Sequence, residues 1–179
     1  AYAKSMLDVQ SRAYRKQDGG NFITAIPNNL FGEHDNFDLE NSHVLPAIIR
    51  KVHEAKLNDT NVCLWGDGSS LREFTYSKDL AEILLFLLEH YDEPGPINVG
   101  NTNEISIKKA AEMICEIMDF KGEIVWDTTK PKGQHRKPSD NSKLLDLGWK
   151  EQNYTNFKKA LTKTCEWVIL NYPNIRGIK

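Results

Sequence analysis

His43 stands directly after Ser42, where an apolar helical pattern begins. An imidazole there can take or give a proton near neutral pH, because its ordinary pKa is about 6.5. On residue type alone, such a histidine equally caps or packs against a helix start. Lys4 falls within an amphipathic run whose apolar members are Tyr2, Met6, Leu7, Val9, Ala13 and Tyr14, a setting in which a lysine ordinarily faces solvent. The stretch KPKGQHRKPSD collects Lys130, Lys132, His135, Arg136 and Lys137 into one basic loop, by itself a solvated charge cluster. His53, His90 and His135 show no metal-ligand spacing, so no metal is assigned. Cys63, Cys115 and Cys165 are odd in number, widely spaced and without a C-x-x-C pair, which argues against a disulfide framework or a zinc site. Each is expected to serve as a small packed hydrophobe in a reducing cytoplasm.

The elements that must position these residues alternate. A first helix is expected to run to about Gln17, stopped by Asp18-Gly19-Gly20. Phe22 to Ile26 reads as a strand buried on both faces, ended by Pro27, and Asn28 and Asn29 as turn formers. Ser42 is the expected N-cap of a helix over HVLPAIIRKVHEAK, with Pro46 tolerable in its first turn. VCLWGDGSSLREFTY reads as two extended pieces around a glycine-rich turn, a hairpin or a strand and loop. Ser77 is the expected cap of KDLAEILLFLLEHY, whose Leu and Ile content implies deep burial. PINVG and GEIVWDTT read as strands, Ser106 caps IKKAAEMICEIMDF, and helices at SKLLDLGW and NFKKALTKTCEWVILNY follow. Helices alternating with strands make the class α/β.

Composition limits the function. With 23 basic against 25 acidic side chains the net charge is −2, so no global field recruits nucleic acid or an anionic membrane, and any anion site is local. No apolar run approaches the roughly 18 residues of a membrane span. Nothing matches G-x-G-x-x-G, since Gly66-Asp67-Gly68 lacks the third glycine and the following helix.

Read together, NLFGEHDNF, NSHVLPAIIRKVHEA, WGDGSSLREFTYSKDLA, INVG and DTTKPKGQHRKPSDNSKLLDLGW resemble the GDP-L-fucose synthase family of extended short-chain dehydrogenases. HDNF followed closely by NSHVLPA is the narrow part of the likeness; WGxGxxxREFxYxxDLA is shared more loosely among nucleotide-sugar epimerases and dehydratases. The resemblance implies the remnant of a doubly wound parallel-sheet NADP-binding domain at residues 1–42. Residues 43–179 would be mainly a smaller α/β domain that binds the sugar nucleotide, with segments around 74–100 returning to the first sheet. It also implies a homodimeric cytoplasmic enzyme that epimerises GDP-4-keto-6-deoxy-D-mannose at C3 and C5 and reduces C4 with NADPH.

Residue by residue, AYAK resembles the end of the family's Tyr-x-x-x-Lys motif. Lys4 then matches the motif lysine, which contacts the nicotinamide ribose, and the matching tyrosine would precede Ala1. His43 matches the general acid of the epimerisation and a cofactor contact, and Pro27, Asn28, Asn29 and Leu30 match a cofactor segment. Lys51, Trp65, Arg72 and Lys137 match contacts to the GDP-sugar, with Arg72 suited to a two-pronged phosphate bond and Trp65 to a flat apolar contact. Lys51 stands where bacterial relatives have arginine, and Lys132 where relatives have an acidic residue. His34, within the family's EHDN stretch, reads as a residue that supports the contact residues from behind or is structural. The chain alone is expected to be inactive; the alternatives are another nucleotide-sugar epimerase or dehydratase, and a non-catalytic GDP-sugar-binding module.

Overall fold

Helix α1 (Tyr2–Asp18) opens the computed structural model, which describes residues 2–178. None of its residues is buried, and its apolar stripe faces outward, with Tyr2 89 % and Leu7 58 % exposed. It is tied down near its C-terminal end, where Arg15 bonds the carboxylate of Asp92 at 2.6 Å and its carbonyl at 2.7 Å and Tyr14 packs on Phe22. The tyrosine expected to accompany Lys4 would precede Ala1, outside the described residues.

Strand β1 (Ala25–Pro27) runs parallel to β5 (Ile97–Val99), with Pro27 opposite Val99. Strand β2 (Asn29–Phe31) pairs in parallel with β4 (Leu71–Tyr76), which pairs on its other side with antiparallel β6 (Glu104–Ser106). Strand β3 (Val62–Trp65) runs parallel to β7 (Ile124–Asp127). The helices are α2 (Val44–Leu57), α3 (Ser77–His90), α4 (Ile107–Ile117), α5 (Ser142–Asp146) and α6 (Phe157–Asn171). The α/β class stands, with parallel pairing in every sheet.

Several local expectations are corrected. The strand expected at Phe22 to Ile26 is shorter and not buried on both faces: Phe22 is 45 % and Ile26 46 % exposed, because β5 is its one ladder partner among the described residues. Asn29 and Leu30 belong to strand β2 rather than a loop. VCLW and LREFTY do not form a hairpin but feed separate sheets. Helix α3 buries Asp79, Ile83 and Leu87 yet exposes Leu84, Leu85 and Leu88, since one face alone meets the core. His43, not Ser42, is the N-cap of α2, and Ser77 is the first residue of α3 after Tyr76. Ser106 does cap α4, its side chain accepting from Lys109 N. Cys63 is exposed on the outward face of β3, whereas burial pushes the Cys115 thiol up to about 11 and the Cys165 thiol up to about 12.

The apolar interior divides in two. One cluster joins α2, α4 and α6 over β3 and β4, around Ile49, Leu64, Ile114 and Leu161. The other joins α3, β5 and α5, around Ile83, Leu87, Ile97 and Leu144. Buried Asp79 helps lock the C-terminal segment onto α3, accepting from Thr155 N at 2.9 Å and Thr155 Oγ1 at 2.6 Å.

His53 is buried in α2 with its ring 4.6 Å from that of Tyr172. Burial holds its imidazole below its ordinary value; Glu54 acts against that shift and Lys56 with it. The unfolded imidazole therefore takes up a proton that the folded one resists. Stability contributed by neutral His53 is complete above about pH 6.5 and declines as pH falls through that value. Urea midpoints at pH 7.5 and 5.5 should fall further for the natural chain than for His53→Gln; equal falls would contradict this.

Candidate functional site

The pocket next to α2 is walled chiefly by α2, β3 and β4. Helix α2 presents Ala47, Ile48 and Lys51 on one side, β3 contributes Leu64 and Trp65, and β4 contributes Arg72. Trp126 of β7 and Ile107 at the start of α4 extend the apolar wall, and Pro131 and Lys132 of the basic loop close it. The volume is about 290 Å³. The turn from β3 to β4 can pass this closely because its glycines accept conformations other residues avoid. Gly68 has φ +72°, and a Cβ there would lie 2.7 Å from the Trp126 ring. Asp67 is held in the same turn, accepting from Ser69 N at 3.0 Å and Ser69 Oγ at 2.6 Å.

The chemistry of this wall is a flat ring among cations. Trp65 is 56 % exposed, with the Lys51 ammonium 5.5 Å and the Lys130 ammonium 5.8 Å from its ring centre, both within cation–π reach. Lys51 also donates to Cys63 O at 3.1 Å, which fixes its reach over the ring. Arg72 donates to Leu71 O at 2.6 Å and Gln134 O at 2.8 Å. Of the five guanidinium N–H groups, those left over are available to a ligand. Lys132 pairs with Asp67 at 2.9 Å, and the hydrogen bonds from Ser69 and Lys132 keep the Asp67 carboxyl far below the usual carboxylate range.

Three of the expected sugar-nucleotide contacts, Lys51, Trp65 and Arg72, thus come together on one wall. Lys137 is not on that wall; it is exposed, two residues beyond His135, whose carbonyl accepts from Leu71 N at 2.8 Å. His43 is exposed between Ser42 and Val44, both of which line the pocket, and its side chain takes no part in capping α2. Lys4 lies exposed on α1 and is not on the pocket wall. Pro27 ends β1. The Asn28 amide donates to Asn101 O at 2.8 Å and Glu73 Oε2 at 3.2 Å and accepts from Thr75 Oγ1 at 2.6 Å, while Asn29 donates to Glu73 O at 2.8 Å. His34 packs on Trp167, ring centres 4.6 Å apart, in keeping with a structural part.

Sequence reasoning did not place Lys130 beside Trp65 or Lys132 in the pocket wall, because both depend on how the basic loop folds back across the chain. Gly66, with φ +80° and a would-be Cβ 2.9 Å from Lys132 Cβ, is the local trace of that approach. Among the described residues no group of His, Cys, Asp and Glu could hold a metal ion.

Residues 1–100 match the sequence profile of the NAD dependent epimerase/dehydratase family. The chain belongs to this family. A GDP-L-fucose synthase of Sinorhizobium fredii is 47 % identical over 161 residues, covering 89 % of this chain and 51 % of that protein. One from Dictyostelium discoideum is 40 % identical over 178 residues, covering 98 % and 55 %. The crystal structure of a GDP-L-fucose synthetase from Naegleria fowleri bound to NADP superposes with a TM-score of 0.92 at 40 % identity, covering 98 % of this chain and 56 % of that one. The chain spans about half the length of the curated relatives it matches. For this member of the epimerase/dehydratase family, Trp65 and the cations around it are the candidate site.

Proposed function

We propose that this chain is the part of a GDP-L-fucose synthase that holds the sugar nucleotide, together with a share of its cofactor side. The observation that carries the reading is the wall of Lys51, Trp65 and Arg72, in a chain so similar to proteins of that name. In this reading Trp65 receives the nucleoside end on its ring, and Arg72, Lys51 and Lys137 neutralise the diphosphate, an arginine fork fixing direction where a lysine supplies a point charge. Residues 1–42 and the segments around 74–100 belong to the cofactor side, and the rest to the substrate side.

NADPH, when bound, supplies the hydride for C4. The carboxyl ends of β1 and β5 lie side by side, Pro27 opposite Val99, and open parallel sheets receive nucleotides at such ends. The exposed Lys4, the backbone from Pro27 to Leu30 and His43 would hold the cofactor there. In the family motif a lysine at this place favours the phenolate of a tyrosine four positions earlier, and in this reading His43 delivers a proton to the enolate face during epimerisation.

The chain by itself should bind GDP, measured by calorimetry, without oxidising NADPH in the presence of GDP-4-keto-6-deoxymannose. Failure to bind GDP would remove the proposed site, and NADPH oxidation would overturn the division of labour.

A further inference from the structure

We propose that Glu73 is a positioning residue that fixes the Lys137-bearing loop against β4 and joins it to the segment after β1, a role resting on the anion-binding reading above. Glu73 is 1 % exposed. A carboxyl group withdrawn from water to that extent needs donors, and three are present. Ser139 N donates to Oε1 at 2.9 Å, Ser139 Oγ to Oε2 at 2.5 Å and Asn28 Nδ2 to Oε2 at 3.2 Å. None of these donors is a cation. The carboxylate thus ties together two remote segments of chain, and the main-chain carbonyl of Glu73 accepts from a further group, Asn29 Nδ2, at 2.8 Å.

Directly across the antiparallel ladder from Glu73 is Glu104, and it holds the same loop a few residues earlier. Arg136 Nε lies 2.8 and 2.7 Å from the two Glu104 oxygens, and Arg136 Nη2 lies 2.6 Å from Oε2. Between the Arg136 and Ser139 anchors stand Lys137 and Pro138, and proline fixes its own φ, so little backbone freedom remains there. Lys137 itself makes no hydrogen bond or ion pair among the described residues. Where its ammonium can reach is therefore decided by the two anchors. Arg72, the residue before Glu73, projects to the opposite side of the strand and bonds Gln134 O. One strand thus sets the direct phosphate ligand, Arg72, and through Glu73 the approach of a second, Lys137.

The test compares the natural chain with Glu73→Gln, Ser139→Ala and Lys137→Ala. Glutamine keeps the shape of Glu73 but turns one acceptor into a donor, so one of the three bonds must fail. Amide exchange over residues 134–140 should rise about tenfold or more in Glu73→Gln while exchange in β3 stays as it was. Affinity for GDP should fall about tenfold, as in Lys137→Ala, while affinity for guanosine, which has no phosphate, is unchanged. A purely structural glutamate would weaken both ligands alike. That result, or unaltered exchange in a folded Glu73→Gln, overturns the proposal. If Glu73→Gln does not fold, Ser139→Ala decides, since it leaves Glu73 in place and removes one bond: raised exchange over 134–140 with selective loss of GDP supports the role, and no change refutes it. If the natural chain binds no GDP, the functional reading falls, and exchange alone decides whether Glu73 holds the loop.

Discussion

Replacing Arg72 with alanine is expected to weaken GDP binding by about 10- to 100-fold, the equivalent of roughly 1.5–3 kcal/mol for hydrogen bonds to a charged group. The size follows from the double employment of this side chain. Toward the ligand it offers the guanidinium donors not used by Leu71 O and Gln134 O; toward the protein its bond to Gln134 O holds the basic loop at the pocket edge. Alanine removes both. Arg72→Lys keeps the charge but not the planar fork, so it should recover only part of the affinity. Trp65→Ala makes the contrasting comparison: it should weaken guanosine and GDP by the same factor, because in the proposed binding mode the ring meets the nucleoside rather than the phosphates. Calorimetry with both ligands checks this. Undiminished GDP binding by Arg72→Ala would take the phosphates away from this wall.

Much of this architecture could be read from the sequence where local physics decides it. The spacing of Val44, Leu45, Ile48, Ile49 and Val52 specified α2 and its buried face, and Ser106 before an apolar run specified the start of α4. What could not be read was partnership. Residues Phe22 to Ile26 have the composition of a doubly covered strand, but how much of such a strand is covered depends on neighbours that composition does not name. The leucines of α3 imply burial, yet a helix meets a core with one face, and Leu85 and Leu88 lie on the other. Strand β6 is three residues long, too short to show a period, and exists because β4 offers it a ladder. The same holds in the site. Lys51, Trp65 and Arg72 could be singled out by resemblance, whereas Lys130 over Trp65, Lys132 on Asp67 and the donors converging on Glu73 arise from pairings across 45 to 66 positions of chain.

His43→Ala is expected to suppress solvent deuterium incorporation at C3 and C5 by about 100- to 10,000-fold, the range for a positioned general acid or base. The protein for this test is a chimera in which this chain replaces the matched segment of the Sinorhizobium fredii relative, about half its length. The structural reason is that His43 has no competing duty. It occupies the N-cap of α2 with extended backbone angles of −73° and 167°, yet its side chain makes no capping bond, so the ring is not spent on the helix. Its neighbours Ser42 and Val44 both line the pocket, and its carbonyl, bonded by Ala47 N at 3.1 Å, fixes the backbone from which the imidazole projects. Removing the ring deletes a proton path without touching the wall of Lys51, Trp65 and Arg72, so GDP affinity should change little. Isotope exchange measured by mass spectrometry, set beside calorimetric affinity, separates the two effects. Equal losses in both would make His43 a contact residue, and unaltered exchange would move the acid to another side chain.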